Sequence, residues 1–217
     1  MKIIRVLTGG DRNFGYVLAD EKTKEAALVD PSYSPELLVR CAGEERYTVR
    51  YVLTTHDHGD HTNGNARAKE LTGAKIVMHA DGRGDADLRV SDGDTILIGG
   101  LSVKVIHTPG HNPSHACYYV EDENERAVFT GDTLFVGKVG GTDFGDGARL
   151  QYESLHGKLL KLPDDTRVLP GHDVGVQPES TIAYERKSNP FLVQPDFEAF
   201  VHLKMNWLEY KRRHNIA

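Results

Sequence analysis

Short apolar runs recur along the chain, each closed by a turn-forming cluster. Residues 3–7, 15–19 and 26–29 read as strands, separated by Gly9-Gly10-Asp11 and by a charged turn at 20–24. Ser34-Pro35 predicts a helix start, a cap residue followed by proline at the first helical position. That helix runs toward Cys41 and Gly43. Residues 49–53 form a further strand, and 65–71 read as a helix stopped by Gly73. Strands follow at 75–78, 95–98, 101–106, 116–120, 127–129 and 167–169. Helices are predicted over 151–162, 178–187 and 196–213.

The helices fall between groups of strands and do not alternate with them one for one. That order predicts an α+β fold, an αββα sandwich of two mixed sheets with outer helices. A boundary near 175–178 separates a metal-binding domain, 1–176, from a helical extension, 177–217, packed on it. Phe191, Phe197, Phe200 and Trp207 give the extension its packing face.

Composition narrows the function. The 217 residues carry a formal charge of −6 and no basic run, which excludes phosphate-driven binding of nucleic acid. No apolar run approaches the roughly 20 residues that span a bilayer. The first residues lack the apolar stretch of a signal peptide, so the chain is read as cytoplasmic. Cys41 and Cys117 are too few for a disulfide framework and are read as small buried residues.

Histidine is concentrated where chemistry is expected. The segment His56-Asp57-His58-Gly59-Asp60-His61 places three imidazoles and two carboxylates in six positions directly after a strand. On an extended chain alternate side chains share a face, so His56 and His58 point together. Asp60 and His61 fall where the chain turns and can aim elsewhere, and Asp57 points away as a hydrogen-bonding support. Imidazole and carboxylate suit zinc, iron or manganese. Three later segments repeat one device, a strand, a tight turn and a ligand-type residue: Thr108-Pro109-Gly110-His111, Thr130-Gly131-Asp132 and Leu169-Pro170-Gly171-His172. His115 is read as a loop-stabilising group within reach of the site, and His79, His107, His156 and His202 as structural.

HDHGDH, TPGH, FTGD and LPGH, in that order, resemble the metallo-β-lactamase superfamily, and the match runs from Gly9 to the NPFL at 189–192. Within it, the segment 180–192 looks like the glyoxalase II branch, the hydroxyacylglutathione hydrolases. Persulfide dioxygenases share these motifs, including Thr142-Asp143-Phe144. The resemblance implies two divalent metal ions (Zn, Fe or Mn). His56, His58 and His111 would hold one, Asp60, His61 and His172 the other, with Asp132 bridging. It implies cleavage of a small-molecule thioester by a metal-bridging hydroxide that the catalytic Asp60 helps to orient. The alternative is a single Fe(II) on His56, His111 and Asp132, oxidising glutathione persulfide with O2.

The loop at 135–146 holds four glycines, which suits close approach of backbone to substrate. The resembling families place Lys or Arg in it to meet a glutathione carboxylate, where this chain has Gly140-Gly141. Lys138, Phe144 and Arg186 are therefore the candidate substrate contacts, with Arg149 and Lys187 as further sources of positive charge. The extension is shorter than the helical domain of a full glyoxalase II and is also a candidate homo-oligomer contact.

Overall fold

A computed structural model describes residues 1–214. Two six-stranded mixed sheets face each other. The first runs in the order β1 (Lys2–Gly9), β2 (Asn13–Asp20), β3 (Glu25–Val29), β4 (Thr48–Leu53), β5 (Lys75–His79), β6 (Leu88–Val90). Its β1–β2–β3 part is antiparallel and its β3–β4–β5–β6 part parallel. Helices α1 (Pro35–Glu44) and α3 (Asn65–Thr72) make the parallel crossovers, with the short α2 (Gly59–Thr62) preceding α3.

The second sheet holds β7 (Thr95–Ile98), β8 (Leu101–His107), β9 (Ala116–Glu121), β10 (Arg126–Gly131), β13 (Arg167–Pro170) and β14 (Ser180–Thr181). Only β10 and β13 in it pair in parallel. A small hairpin, β11 (Leu134–Phe135) and β12 (Lys138–Val139), rises from the end of β10. Helices α4 (Asp146–Gly157), α5 (Ile182–Ser188), α6 (Phe197–Met205) and α7 (Trp207–His214) complete the described chain.

Strand alternation sorts the apolar residues into three layers. From β2, Phe14, Tyr16 and Leu18 face between the sheets, against Val103, Tyr118 and Phe129 of the second sheet. Val17 and Ala19 of the same strand face outward, under Leu38 and Ala42 of α1 and Ala68 of α3. On the far side, Ile106, Cys117, Val128 and Val168 lie beneath Leu155 of α4 and Phe191, Phe200 and Leu203 of the extension. The predicted α+β sandwich is the observed one. Cys117 is buried as expected, while Cys41 is half-buried.

Local details differ from expectation. Helix α4 begins at Asp146 rather than 151, because the Asp143 carboxylate accepts from the N–H groups of Gly145 and Gly147 and starts the turn early. The predicted helix over 196–213 is two helices: at Asn206 the side-chain Nδ2 donates to His202 O and ends the first. Strands β6, β11, β12 and β14 were not expected; each is two or three residues long. Among the described residues no helix is long and apolar enough to cross a membrane.

Candidate metal centre

The loops after β4, β8, β10 and β13 open at one end of the sandwich, and there the ligand-type residues meet. His56 Nε2 lies 3.0 Å from His58 Nδ1, which lies 3.1 Å from His111 Nε2. His61 Nε2 lies 3.1 Å from His172 Nε2, and Asp60 Oδ2 is 3.5 and 3.4 Å from the same two atoms. Asp132 stands between the groups. Its Oδ1 is 3.3 Å from both His61 Nε2 and His172 Nε2, and its Oδ2 is 3.6 Å from His111 Nε2. All seven residues singled out in the sequence are thus brought together.

These separations suit a shared cation. Two ligand atoms each about 2.0–2.1 Å from a tetrahedral ion stand about 3.3–3.4 Å apart. Three groups, His56/His58/His111, His56/His61/Asp132 and Asp60/His61/His172, bring a donor atom from each member within 4.8 Å of the others. Asp132 Oδ1 is buried and receives no hydrogen bond. A buried carboxylate oxygen without a donor is costly, and a cation at this point would satisfy it.

The rings are held by their other nitrogens. Nδ1–H of His61 donates to Asp30 Oδ2 at 2.8 Å, that of His111 to Gly141 O at 2.8 Å, and that of His172 to Asp11 O at 2.8 Å. His56 Nδ1 pairs with Thr55 Oγ1 at 3.1 Å. These bonds fix the tautomers that leave Nε2 lone pairs facing the centre. The electrostatics of the two buried rings differ. Burial pushes the His56 imidazole well below its ordinary value, toward the neutral form that ligates. Burial opposes charge on His61 too, but the carboxylates of Asp132 and Asp30 outweigh it and hold His61 well above.

Asp30 was not singled out in the sequence. It directly follows β3, with φ +44°, and accepts from Thr55 N, Thr55 Oγ1 and His61. Asn13 was also missed; its Nδ2 donates to Asp60 O and Oδ2. Asp57 does act as a support, accepting from Arg83 N and Asn112 Nδ2 outside the centre. His115 stacks on His56 at 5.0 Å and its Nε2 accepts the Asp132 N–H, so it is an acceptor within the loops and not a donor to the site.

Beside His111 runs a groove of about 270 Å³, lined by Lys138, Gly141, Phe144, Phe191, Lys204 and Trp207 among others. Lys138 and Phe144 are among its lining residues. Arg186 lies elsewhere: it donates to Asp164 and to Leu160 O and is not among the lining residues. Arg149 is stacked over Phe197 at 4.0 Å. A cation not singled out in the sequence also lines the groove. Lys204 Nζ, from α6, donates to Gly140 O at 2.8 Å and Gln151 Oε1 at 2.6 Å. Burial lowers its pKa from an ordinary 10.5 to about 8. Gly140 is a glycine for a packing reason, since a Cβ there would stand 1.8 Å from Asp132 O.

Buried Glu185 ties the extension to the hairpin. It accepts from Gly137 N, Ser180 Oγ and Asn189 Nδ2, and burial raises its pKa.

Residues 8–172 match the metallo-β-lactamase superfamily. The chain is 39% identical over 186 residues to an Arabidopsis thaliana protein named cytoplasmic hydroxyacylglutathione hydrolase, covering 82% of this chain and 69% of that one. The crystal structure of ETHE1 from Myxococcus xanthus superimposes with a TM-score of 0.87 at 33% identity, over 95% of this chain and 91% of that one. TTHA1623, solved in a di-iron-bound form, gives a TM-score of 0.72 at 28% identity, over 87% and 100%.

Proposed function

The chain belongs to the metallo-β-lactamase superfamily, and we propose that it is a binuclear metallo-hydrolase cleaving acylglutathione thioesters. The observation that carries this reading is the placement of Asp132, with one oxygen toward His61 and His172 and the other toward His111. His56, His58 and His111 would hold one divalent ion, Asp60, His61 and His172 the other, and Asp132 both. Bound there, the ions would supply Lewis acidity to the carbonyl and bring water to a pKa of about 7. The di-iron form of TTHA1623 supports double occupancy, and the name of the Arabidopsis relative supports the thioester and the cytoplasm.

The chain's own groups do the positioning. Asp60 is held by Asn13, and its side chain is 34% exposed, so it can orient the attacking water from the open side. Water adds to the thioester carbonyl carbon, the C–S bond breaks, and a carboxylic acid and a thiol are released. The thiol, with a pKa of about 8.5, leaves without a strong acid. Lys204 and Lys138 line the groove beside His111, which suits the carboxylates of glutathione. The test is thiol release from S-lactoylglutathione by metal-loaded protein. Release that disappears in Asp132→Ala supports the reading, and no release from fully loaded protein overturns it.

A second reading is favoured by the likeness to ETHE1, which superimposes with a TM-score of 0.87 at 33% identity. Under it, one Fe(II) would be held by His56, His111 and Asp132 in a two-His, one-carboxylate triad for persulfide oxidation.

A further inference from the structure

One buried carboxylate lies outside the metal centre. Glu185, on α5, is fully buried. Its Oε2 accepts from Gly137 N at 3.0 Å and from Asn189 Nδ2 at 2.8 Å, and its Oε1 from Ser180 Oγ at 2.5 Å. Asn189 Nδ2 also donates to Lys138 O at 3.3 Å. Lys138 and Trp207 line both the groove beside His111 and an adjoining cavity of about 330 Å³, which Asp11, Arg12 and Lys211 also line. We propose that Glu185 is a positioning residue: by clamping the turn of the β11–β12 hairpin to the extension, it sets the Lys138 ammonium at the junction of the two cavities, where it meets a carboxylate of glutathione. The proposal rests on glutathione as the thiol carrier, which the hydrolase and dioxygenase readings share.

The hairpin needs an outside support. Its strands pair only Leu134 with Val139 and Phe135 with Lys138. An isolated hairpin is at best marginally stable in water, and one this short less so. Its turn, Val136-Gly137, bonds outward: Val136 O accepts from Val176 N at 3.2 Å, and Gly137 N–H donates to Glu185. Apolar contacts of Phe191, Phe200 and Leu203 already attach the extension to the second sheet. Apolar contact is non-directional and does not fix the register of a turn. Hydrogen bonds to Gly137 N and Lys138 O do, because each demands a distance and an angle. Burying the carboxylate is unfavourable, and burial accordingly raises its pKa. That cost falls at the point where the extension meets the residue before Lys138.

Lys138 in turn senses the centre. Burial, followed by the charge of Lys211, lowers its pKa, while the carboxylates of Asp11 and Asp132 oppose the shift. A charge-assisted bond from an ammonium to a carboxylate closes at about 2.7–2.9 Å, so a displaced turn would forfeit it.

The test is binding of S-methylglutathione, which carries both carboxylates and no thioester, to the metal-loaded full chain. Calorimetry measures it, together with the fluorescence of Trp207, the chain's one tryptophan. Lys138→Met should weaken binding about tenfold. Glu185→Asp, whose carboxylate falls one methylene short of the turn, should weaken it about fivefold or more. Glu185→Gln keeps all three bonds once Ser180 Oγ turns to accept, and should bind as wild type does. In the Lys138→Met background, Glu185→Asp should add less than about twofold. Wild-type affinity in either single variant, Lys138→Met or Glu185→Asp, overturns the proposal, as does lost affinity in Glu185→Gln. Full additivity of Glu185→Asp and Lys138→Met, the result of a merely structural role, also overturns it. Should Glu185→Asp not fold, amide exchange in wild type decides: the Gly137 N–H should be protected like that of a core strand, and exchange at the rate of an open turn overturns the clamp. None of these readouts depends on turnover, so failed thiol release would overturn the hydrolase reading and leave this proposal standing.

Discussion

Asp132 holds its Oδ1 3.3 Å from His172 Nε2, buried and without a hydrogen bond. The protein thus folds around an unsatisfied carboxylate oxygen and several lone pairs that face one another. Metal removal should therefore destabilise the fold. At free metal a hundred times the dissociation constant, binding contributes about 2.7 kcal/mol. For a domain of this size that is roughly 5–10 °C in Tm. Calorimetry of chelated and reloaded protein checks it; identical transitions would contradict it.

Asp30 reaches the same centre through His61. Asp30→Asn keeps the side-chain shape and tolerates the positive φ, but it weakens the acceptor that orients the imidazole. Metal affinity should fall about 10–100-fold while the circular dichroism spectrum is unchanged. Competition with a chromophoric chelator measures it.

Lys204 ties the extension to the groove beside His111. Lys204→Met should raise KM for an acylglutathione about tenfold or more and leave kcat nearly unchanged, with Lys204→Arg restoring most of the loss. Because the ammonium is lost at a pH of about 8, wild-type KM should climb through that pH, and the Met variant should not follow. The stability sign is opposite. Between pH 8 and 10.5 the unfolded chain binds a proton here that the folded chain has released, so this group makes stability rise with pH.

Phe200 is fully buried against Phe191, Tyr152 and Leu155, which joins the extension to the second sheet's outer face. Phe200→Ala should cost about 3–5 kcal/mol. Chemical denaturation should remain one transition with a lower midpoint. A separate early transition would instead mean that the extension unfolds on its own.

The candidate metal centre was legible because its ligand-type residues sit in short local motifs at strand ends, where two-residue alternation fixes direction. His56 and His58 needed no tertiary information. Asp30 was illegible because its role depends on β3 and β4 pairing in parallel, which brings it beside Thr55 and His61. Lys204 was hidden for a similar reason: only docking of α6 against α4 carries it to Gly140 and Gln151. Arg186 matched by residue type alone, and Asp164 with Leu160 O claims it. The two- and three-residue strands carry no pattern of their own and exist because a neighbouring edge is available to pair with.

The most direct test of the central claim sets two assays beside each other on metal-loaded protein of known metal content. One follows thiol release from S-lactoylglutathione, the other O2 uptake on glutathione persulfide with verified iron. The hydrolase account predicts thiol release, abolished together with most bound metal in His56→Ala and Asp132→Ala, and no O2 uptake. O2 uptake that vanishes in His111→Ala, with no thiol release, would contradict it.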